Sequence, residues 1–478
     1  APIAIQTTKN DSIIFEKWIQ PFTGKLKVKL PAVNAQRVWV DGREESIDVY
    51  RNNNSSRASG MFKRSRPLSM KPFVNLENPT KKQVFYSPIL GANLYNKFML
   101  GMAFYNSILP RKKTEFVLAP MYAFGTKDVT GYFSIQRRFF TQGKIQEMQF
   151  GVDIARFGTS LYTSNQVIGS DSLGAPIIGD KLMGNVYEKI APRLTILFKK
   201  QNPRTDAQKS LNVRWVMVNE QIQTNKMFNN FKQHNSFLDA KYTINQNRVI
   251  RPYMFNLGYQ MGNAQSTFQK ITAEYTTFID YGEKKKGLYV RAFAGYFIQK
   301  PSKYRDERAY FRVAENNGYY DYMYDESQFG RGQAEVGAKM GVFGHQLMPN
   351  TAGFRSFTNL LQTGGTDSWL AAANFTSTIP GILPLKVFVD VAALNSKSYN
   401  TDGNTGVTTI VYQANLHYVG GVSVWMFKDV FQVNFPIFTD ALNAAVWDGQ
   451  KKYGERITFT LKLNQLNPIK AIRENKLF

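Results

Sequence analysis

The segment that decides the fold is residues 253–299, YMFNLGYQMGNAQSTFQKITAEYTTFIDYGEKKKGLYVRAFAGYFIQ. It contains three consecutive stretches in which apolar and polar side chains alternate with a period of two. In the first stretch the apolar face consists of Tyr253, Phe255, Leu257, Tyr259 and Met261. Because successive side chains on a β-strand point to opposite faces, each stretch predicts a strand with one apolar and one mostly polar face.

The polar faces of these stretches also carry aromatic residues, because Phe278, Phe293 and Phe297 fall on them. The connectors between the stretches, residues 262–265 and 282–287, are short enough for antiparallel hairpins. The segment therefore predicts three neighbouring strands of an antiparallel sheet.

The same alternation recurs from residue 84 onward in about sixteen segments, and fourteen to sixteen strands agree with the pattern. The candidate strands are 84–95, 97–109, 114–125, 129–140, 145–157, 187–200, 209–219, 236–246, 249–262, 266–281, 287–299, 368–378, 385–395, 409–427, 429–439 and 455–465. Many are far longer than the strands of soluble sandwiches, which average about five or six residues. A β-sandwich also rarely joins so many hairpins without a helix, and a propeller would repeat about every forty residues, which this sequence does not.

Connector lengths give a separate indication of the fold. If the strands are numbered from a periplasmic start, every long connector follows an odd-numbered strand. These connectors are 158–186, 220–235, 300–367, 396–408 and 440–454. Bacterial outer-membrane barrels have an even strand number, short periplasmic turns and long outer loops. The prediction is an all-β protein: a transmembrane antiparallel β-barrel of about sixteen strands, in contact with outer-membrane lipid, with a small N-terminal β-sandwich fragment.

Composition excludes several other classes of protein. The 478 residues include no cysteine, so disulfides and thiolate metal sites are absent. No run approaches the roughly eighteen apolar residues of a transmembrane helix. The formal charge of +25 comes from lysines and arginines spread along the chain. Because they form no basic tail or recognition helix, the pattern argues against nucleic-acid binding.

The predicted barrel occupies residues 84–466, and three other regions flank it. Residues 1–58 contain a few short strand patterns, too few to bury a core alone, so we expect a partial, periplasmic β-sandwich whose remainder precedes this chain. Residues 59–83 are basic and punctuated by prolines, which predicts a linker with little regular structure. Residues 467–478 form a C-terminal tail.

No motif in the sequence predicts catalysis, metal binding or a cofactor in this chain. The three histidines, His234, His345 and His417, are far apart and in no metal-binding spacing. No His-Glu-x-x-His, phosphate-binding loop or nucleophile elbow occurs. We therefore name no catalytic residue and no metal ligand.

Charged residues on the polar strand faces predict a polar, cation-rich lumen. One interpretation is a pore that favours anions; the other is a network of ion pairs and hydrogen bonds without a passage. The predicted lumen-facing residues are Glu147, Asp153, Lys189, Arg193, Arg214, Asp239, Lys241, Lys270, Glu274, Asp280, Arg291, Lys386, Asp390, Arg456 and Lys462.

The connector 304–329 is rich in tyrosine and in acidic residues. Tyrosine-rich loops suit contact with proteins or glycans, so one hypothesis is an extracellular contact surface for other outer-membrane proteins. The alternative is a loop that folds over the mouth of its own barrel. The tyrosines are Tyr304, Tyr310, Tyr319, Tyr320, Tyr322 and Tyr324.

Several segments carry a family resemblance. The stretch from FEKWI at 15–19 to DVYRNN at 48–53 resembles the β-sandwich that follows the catalytic domain of aminopeptidase-N-like zinc metallopeptidases, the gluzincins. The residues of the second motif are Asp48, Tyr50, Arg51 and Asn53. The segments YSPILGAN at 86–93, LAPMYAFG at 118–125 and DSWLAA at 367–372 are similar to a C-terminal extension of such enzymes in Bacteroidota.

The resemblance spans most of the chain but includes no catalytic residue. The His-Glu-x-x-His zinc motif, its downstream glutamate and the Gly-x-Met-Glu-Asn motif of the family have no counterpart here. The resemblance therefore implies an outer-membrane barrel that anchors or scaffolds a periplasmic metallopeptidase domain, within a larger outer-membrane complex, with zinc only in an upstream domain. The alternative function is a porin-like channel with a polar, cation-rich lumen.

Overall fold

The computed structural model describes most of the chain. The described residues are 2–10, 12–31, 34–46, 48, 51–73, 78, 81–107, 111–170, 176–202, 205, 207–222, 231–248, 250–263, 267–282, 286–301, 307–316, 318, 320–331, 341–348, 350–358, 364–379, 384–401, 408–426, 430–450 and 452–462. They fall into two compact units, one of Ala1–Pro88 with Met102–Leu118 and one of Ile89–Gly101 with Ala119–Phe478.

The secondary structure of this part of the chain is almost entirely β. The strands are β1 (Ile3–Lys9), β2 (Ser12–Ile19), β3 (Arg37–Val40), β4 (Ser55–Arg57), β5 (Leu68–Pro72), β6 (Lys82–Asn93), β7 (Lys97–Tyr105), β8 (Thr114–Ala123), β9 (Asp128–Phe140), β10 (Ile145–Ser170), β11 (Pro176–Phe198), β12 (Ala207–Ile222), β13 (Phe231–Gln246), β14 (Tyr253–Asn263), β15 (Thr267–Asp280), β16 (Gly287–Gln299), β17 (Phe311–Arg312), β18 (Glu315–Asn316), β19 (Leu347–Met348), β20 (Gly365–Thr366), β21 (Trp369–Thr378), β22 (Leu385–Thr401), β23 (Thr408–Met426), β24 (Phe431–Thr439) and β25 (Thr458–Leu461). One helix, α1 (Ala441–Asp448), and four 3₁₀ turns, Arg51–Asn53, Glu307–Ala309, Gly341–His345 and Tyr453–Arg456, complete the described elements. Within these residues no helix combines the length and the hydropathy needed to cross a membrane.

The N-terminal residues form a separate four-stranded antiparallel sheet in the order β2–β1–β3–β4. It covers residues that the sequence assigns to a partial sandwich. After β3 the buried carboxylate of Asp41 accepts hydrogen bonds from the backbone N–H groups of Glu45 (2.8 Å) and Ser46 (2.9 Å). A carboxylate that binds two successive N–H groups in this way stabilises the tight turn that ends the strand.

A closed sheet of seventeen strands forms the rest of the fold, with β5–β16 and β21–β25 arranged in sequence order. The strands β6–β16 and β21–β25 coincide with the sixteen predicted strands, so the prediction of an all-β barrel of about sixteen strands is confirmed. Among the described residues, neighbouring strands of this sheet from β9 to β25 pair antiparallel.

The seventeenth strand, β5, lies where the sequence predicts a linker. It pairs with β6 in parallel, with Leu68 opposite Lys82 and Pro72 opposite Tyr86. The prolines that suggest a linker lie just before this strand and at its last residue. There a missing N–H interrupts the hydrogen-bond ladder least, so the prolines do not prevent pairing.

Three of the long connectors, 158–186, 220–235 and 396–408, are shorter than the sequence predicts, because the flanking strands extend into them. The predicted loop 158–186 is largely the extension of β10, which has 26 residues, and of β11, which has 23. Beyond a membrane a hairpin has no face that must be apolar, so the alternation that identifies a strand disappears while backbone pairing continues. The connectors between β16 and β21 and between β24 and β25 remain long and follow the eleventh and fifteenth predicted strands.

The two faces of the barrel strands have opposite character. Leu257 and Ile298, from the apolar faces, are 49% and 54% exposed on the outside of the sheet, whereas Phe268 and Phe297, on the opposite faces, are almost fully buried. An outer surface of exposed apolar side chains is stable only against an apolar solvent, as in a membrane barrel. The buried faces need a covering from inside the barrel.

That covering is the described part of residues 307–358, which we call the inner segment. It includes β17, β18 and β19 and forms a buried apolar cluster with residues of β11–β13, β15, β16 and β21–β23. Because strands so far apart around one closed sheet contact the same segment, the inner segment lies inside the barrel.

Candidate functional site in the barrel lumen

Aromatic packing holds the inner segment against the barrel wall. The fully buried ring of Phe311 lies 4.9 Å from that of Phe297 and 6.1 Å from that of Phe293, centre to centre. A Cβ at Gly295, which lies between those two residues, would come within 2.6 Å of the Phe311 ring. The glycine thus permits close approach, and the aromatic residues on the polar faces are the packing surface for the segment.

Two tyrosines of the inner segment extend this contact along the wall. Tyr322 packs its ring 4.9 Å from that of Phe237, and its hydroxyl donates to Gln260 Oε1 at 2.7 Å. Tyr324 stacks on Tyr187 with the ring centres 3.9 Å apart. Burial raises the pKa of both inner-segment hydroxyls well above the ordinary value of 10. Both side chains therefore act as neutral hydrogen-bonding groups.

The contact hypothesis for the tyrosine-rich connector does not fit three of its four described tyrosines. Tyr310, Tyr320 and Tyr322 are buried and cannot reach an extracellular partner. A tyrosine ring is apolar enough to fill a lumen if its hydroxyl finds a partner there, which explains why this composition misleads. The predicted contact residues Tyr304 and Tyr319 lie outside the described residues.

An ionic cluster joins the inner segment to β11 and β12. Asp325 accepts from Arg214 Nη1 at 2.8 Å and forms an ion pair with Lys189. The second partner of Arg214 is Asp239, at 2.7 Å from Nε. Burial alone would raise the pKa of Asp325, but Arg214 and Lys189 outweigh burial and hold the pKa below its usual range. The carboxylate is therefore charged and fully used within the wall.

Two further buried ion pairs cross from the inner segment to the barrel. Arg308 donates to both carboxylate oxygens of Glu220, at 2.8 and 2.9 Å. Arg355 donates through Nε to Asp390 Oδ2 at 3.1 Å, and its backbone N–H donates to the same oxygen. Asp390 is fully buried and accepts a further bond from Asn374 at 3.0 Å. Removing one member of such a pair leaves an uncompensated buried charge.

A lysine and a glutamate occupy the centre of the filled lumen. Lys270 is buried and donates to the carbonyl oxygen of Ala309 at 2.9 Å. Glu315, on β18, is also buried, and this burial raises its pKa to about 7, opposed by the positive charge of Lys270. The centre thus holds one carboxyl group that titrates near neutral pH.

The inner segment also contacts the connector between β6 and β7. The hydroxyl of Tyr95 donates to the carbonyl of Arg331 at 2.7 Å and accepts from its N–H at 2.8 Å. The N–H of Leu94 donates to the carbonyl of Phe329 at 2.7 Å. The side chain of Arg331 binds Asp321 at 2.9 Å, which ties the segment to itself. The inner segment therefore contacts the β6–β7 connector as well as the inner faces of the strands.

Most of the predicted lumen residues lie inside the barrel. Arg214, Lys241, Lys270, Glu274 and Arg291 surround one cavity of about 270 Å³, which we call the lumen cavity. Six others are paired or packed along the wall: Glu147 with Arg138, Asp153 with Arg193, Lys189 with Asp325, Asp239 with Arg214, Asp390 with Arg355, and Lys386 over Trp425. Lys462 lines a second cavity of about 340 Å³, which we call the turn-end cavity.

Arg456 and Asp280 are exceptions among the predicted lumen residues. Arg456 lies in the 3₁₀ turn Tyr453–Arg456, before β25, with its guanidinium over the ring of Trp447. Asp280 lies at the end of a strand. It is the last residue of β15 and is exposed, and its carboxylate accepts from the N–H of Gly282 at 2.8 Å. Its place in the alternation is that of an inner-face residue, but the strand ends there, so the side chain stabilises a turn.

The residues of the family motif have structural contacts in the N-terminal sheet. Arg51 donates to the carbonyl oxygens of Ser46 at 3.0 Å and Glu44 at 3.2 Å, and thus supports the turn after β3. The N–H of Asp48 donates to the carbonyl of Ser46, and Asn53 closes a 3₁₀ turn. Tyr50 lies outside the described residues. These contacts give the motif a local role in folding.

The sequence does not identify the inner-segment partners Arg308, Arg331 and Arg355 as site residues. One feature of the sequence could have indicated an inner segment: the phenylalanines on polar strand faces need an apolar partner inside the barrel. Among the described residues, no group of three or more histidines, aspartates or glutamates has the geometry of a metal site.

Several solved structures resemble this one in fold, and they include proteins of the outer membrane. The structure is similar to CdiB from Acinetobacter baumannii (TM-score 0.37, 10% identity, 76% of this chain and 60% of that one). It is also similar to BamA from Haemophilus ducreyi lacking POTRA domains 1–3 (0.37, 9%, 76% and 70%) and to the outer membrane transporter YddB from Escherichia coli (0.29, 10%, 73% and 47%). No protein-family model and no curated protein matches the sequence. At these scores and identities the similarities assign no function to this chain.

Proposed function

We propose that this chain is an outer-membrane barrel that is closed by its own inner segment and serves as an anchor or scaffold. The observation that carries the proposal is the set of buried and half-buried ion pairs between the inner segment and β11, β12 and β22. A wide barrel conducts only if its lumen is open, and this lumen is occupied along its wall by side chains already paired with each other.

The location in the outer membrane is supported by the exposed apolar faces of the strands. Large apolar side chains such as Leu257, Tyr275 and Ile298 point outward, and water would not tolerate so much apolar surface. Lipid contact satisfies these faces. Contacts with other outer-membrane proteins would then use the long β10–β11 hairpin, which extends beyond the neighbouring strands.

The finer part of the proposal is that the anchored module is a periplasmic metallopeptidase domain upstream of the N-terminal sheet. It rests on the resemblance of residues 15–53 and 86–125 to the gluzincin extension. A scaffold of this kind needs no catalytic residue of its own, which agrees with the absence of catalytic motifs from the sequence. Zinc chemistry would belong entirely to the upstream domain.

Conductance separates an anchor from the alternative, a porin-like channel. The purified protein is inserted into planar bilayers, and single-channel current is measured with the intact chain and with a variant in which a short Gly-Ser linker replaces residues 307–358. We expect no steady conductance from the intact chain and open-pore conductance from the variant. Steady anion-selective current through the intact chain would establish the channel and refute the closed anchor.

The peptidase link has its own test. The native protein is purified from outer membranes, and the intact masses of all copurifying polypeptides are determined. A fused or cleaved polypeptide containing His-Glu-x-x-His supports the scaffold. Recovery of this chain alone, or with unrelated membrane proteins, would remove the peptidase from the proposal and leave the closed barrel.

A further inference from the structure

The turn-end cavity lies where short turns join the strands. Its walls include Phe278 at the end of β15, Tyr289 at the start of β16 and Trp425 at the end of β23. Phe354, from the inner segment, also lines the cavity and is buried. With a volume of about 340 Å³ the cavity falls within the range of small-molecule sites, which is about 300–1,000 Å³.

The walls of this cavity are mainly aromatic. The ring of Tyr289 lies 4.5 Å from that of Phe278 and 5.5 Å from that of Trp425. Met254 and Met348 also line it and supply flexible, polarisable side chains. An aromatic and methionine surface inside a polar lumen favours a ligand with an apolar body.

The charges of the cavity are of one sign. Its described lining contains three cationic side chains, Arg291, Arg355 and Lys462, and no carboxylate. The two arginines are paired with Glu274 and Asp390, but neither of these acids lines the cavity. The lumen cavity, in contrast, is lined by six carboxylates. The turn-end cavity therefore combines an apolar wall with a described lining whose charged side chains are all cationic.

We propose that the turn-end cavity binds a small amphipathic carboxylate, with its aromatic or aliphatic body against Tyr289 and Trp425 and its carboxylate toward Lys462 and the arginines. Planar guanidinium groups and an ammonium group are the usual partners of a carboxylate. Two sources share this chemistry: a free acyl carboxylate and the C-terminal residue of a peptide with an apolar side chain.

Binding is measured by calorimetry on the full chain in lipid nanodiscs, which avoids competition from detergent micelles. The probes are 3-phenylpropanoate, octanoate and N-acetylphenylalanine, and the controls are the neutral 3-phenylpropanol and the cationic phenethylamine. We expect the carboxylates to bind about tenfold more tightly than the alcohol, and the amine not to bind. Tighter binding of octanoate assigns the acyl source, and tighter binding of N-acetylphenylalanine assigns the peptide source.

Three variants locate the site. Thr276→Phe fills the cavity from its wall and should abolish binding of every probe. Lys462→Gln removes a lining charge and should weaken carboxylate binding about tenfold without affecting the alcohol. Lys241→Gln is the matched control, because Lys241 lines the lumen cavity and not this one. Quenching of Trp425 emission, identified by its loss in Trp425→Phe, should follow the calorimetric curve.

Equal affinity for 3-phenylpropanoate and 3-phenylpropanol would overturn the proposal, because the cationic lining would then play no part. Carboxylate binding that survives Thr276→Phe, or that falls equally in Lys462→Gln and Lys241→Gln, would place the ligand elsewhere. Dissociation constants above about 1 mM for all three carboxylates would also refute it.

Discussion

The pair between Arg355 and Asp390 provides the sharpest test of a closed lumen. Asp390 is fully buried and accepts from the backbone N–H and Nε of Arg355, both at 3.1 Å, and from Asn374 at 3.0 Å. Asp390→Asn keeps the shape and removes the charge. The guanidinium of Arg355, which is 10% exposed, is then buried without its counter-ion.

The expected cost follows from that burial. Breaking a buried ion pair by removing one partner costs about 3–5 kcal/mol, since the remaining charge is neither solvated nor compensated. Each 1.4 kcal/mol is a factor of ten, so the fraction of molecules with a detached inner segment should rise by about two to four orders of magnitude. Replacing both members, with Arg355→Met and Asp390→Leu, should recover most of the loss because no charge remains buried.

A single cysteine reports this fraction, since the chain has none of its own. Ala352, in the inner segment, is fully buried and accepts through its carbonyl from Asn374. The labelling rate of Ala352→Cys by a polar maleimide is compared with and without Asp390→Asn, while heat-dependent gel mobility confirms that the barrel stays folded. Asp280→Asn, at an exposed turn, is the control and should leave the rate unchanged. An unchanged rate in folded Asp390→Asn would refute the role of the pair.

Three further predictions concern the inner segment. Gly295→Leu should also speed the labelling of Ala352→Cys, because a Cβ at this position would come within 2.6 Å of the Phe311 ring. Adding Phe311→Ala should reverse most of the increase in labelling rate. No reversal would contradict the close packing of Phe311 on Gly295. Arg308→Met should lower the free energy of unfolding by about 3 kcal/mol, since the buried carboxylate of Glu220 loses both of its bonds from Arg308. Arg308→Met combined with Glu220→Gln should cost clearly less, because no charge remains buried; urea unfolding measures both variants, and equal losses would exclude a charge effect. The buried carboxyl group of Glu315 predicts that stability depends on pH, because its folded pKa of about 7 lies above the ordinary value of 4.5. Its contribution to the free energy of unfolding, about 3 kcal/mol, is fully present below pH 4.5 and is lost as the pH rises to 7. Glu315→Gln should remove that decline, as seen in urea midpoints at about pH 4 and about pH 8, and parallel curves for the two proteins would refute the assignment.

Much of the barrel follows from local pattern. The alternation in 253–299 reports which side chains face lipid, because a strand in a membrane sheet must present one apolar face and every strand obeys the same period of two. The sixteen strands could be located for this reason. The pattern weakened where β10 and β11 extend further, since backbone pairing there needs no apolar face, and at β5, where the prolines at either end suggest a linker.

The lumen could be predicted only in composition. The sequence places Arg214, Glu274, Arg291 and Asp390 on inner faces, but a charge on an inner face is compatible with an open pore and with a filled one. The partner of each charge depends on strand register and on the path of a connector about seventy residues long, and neither is encoded in residues near the charge. The burial of Tyr310, Tyr320 and Tyr322 could not be predicted for the same reason, because it also depends on the path of this connector.

The amino-acid sequence by itself determined the barrel, because contact with lipid requires apolar side chains at every second position of a strand, and this alternation is visible in neighbouring residues. The tertiary structure alone decided that the barrel is filled, since Phe311 reaches Phe297, Arg308 reaches Glu220 and Arg355 reaches Asp390 only after the sheet has closed. The phenylalanines on the polar faces link the sequence to the tertiary structure. An aromatic side chain on the lumen-facing side of a strand needs an apolar partner inside the barrel, and the inner segment supplies that partner.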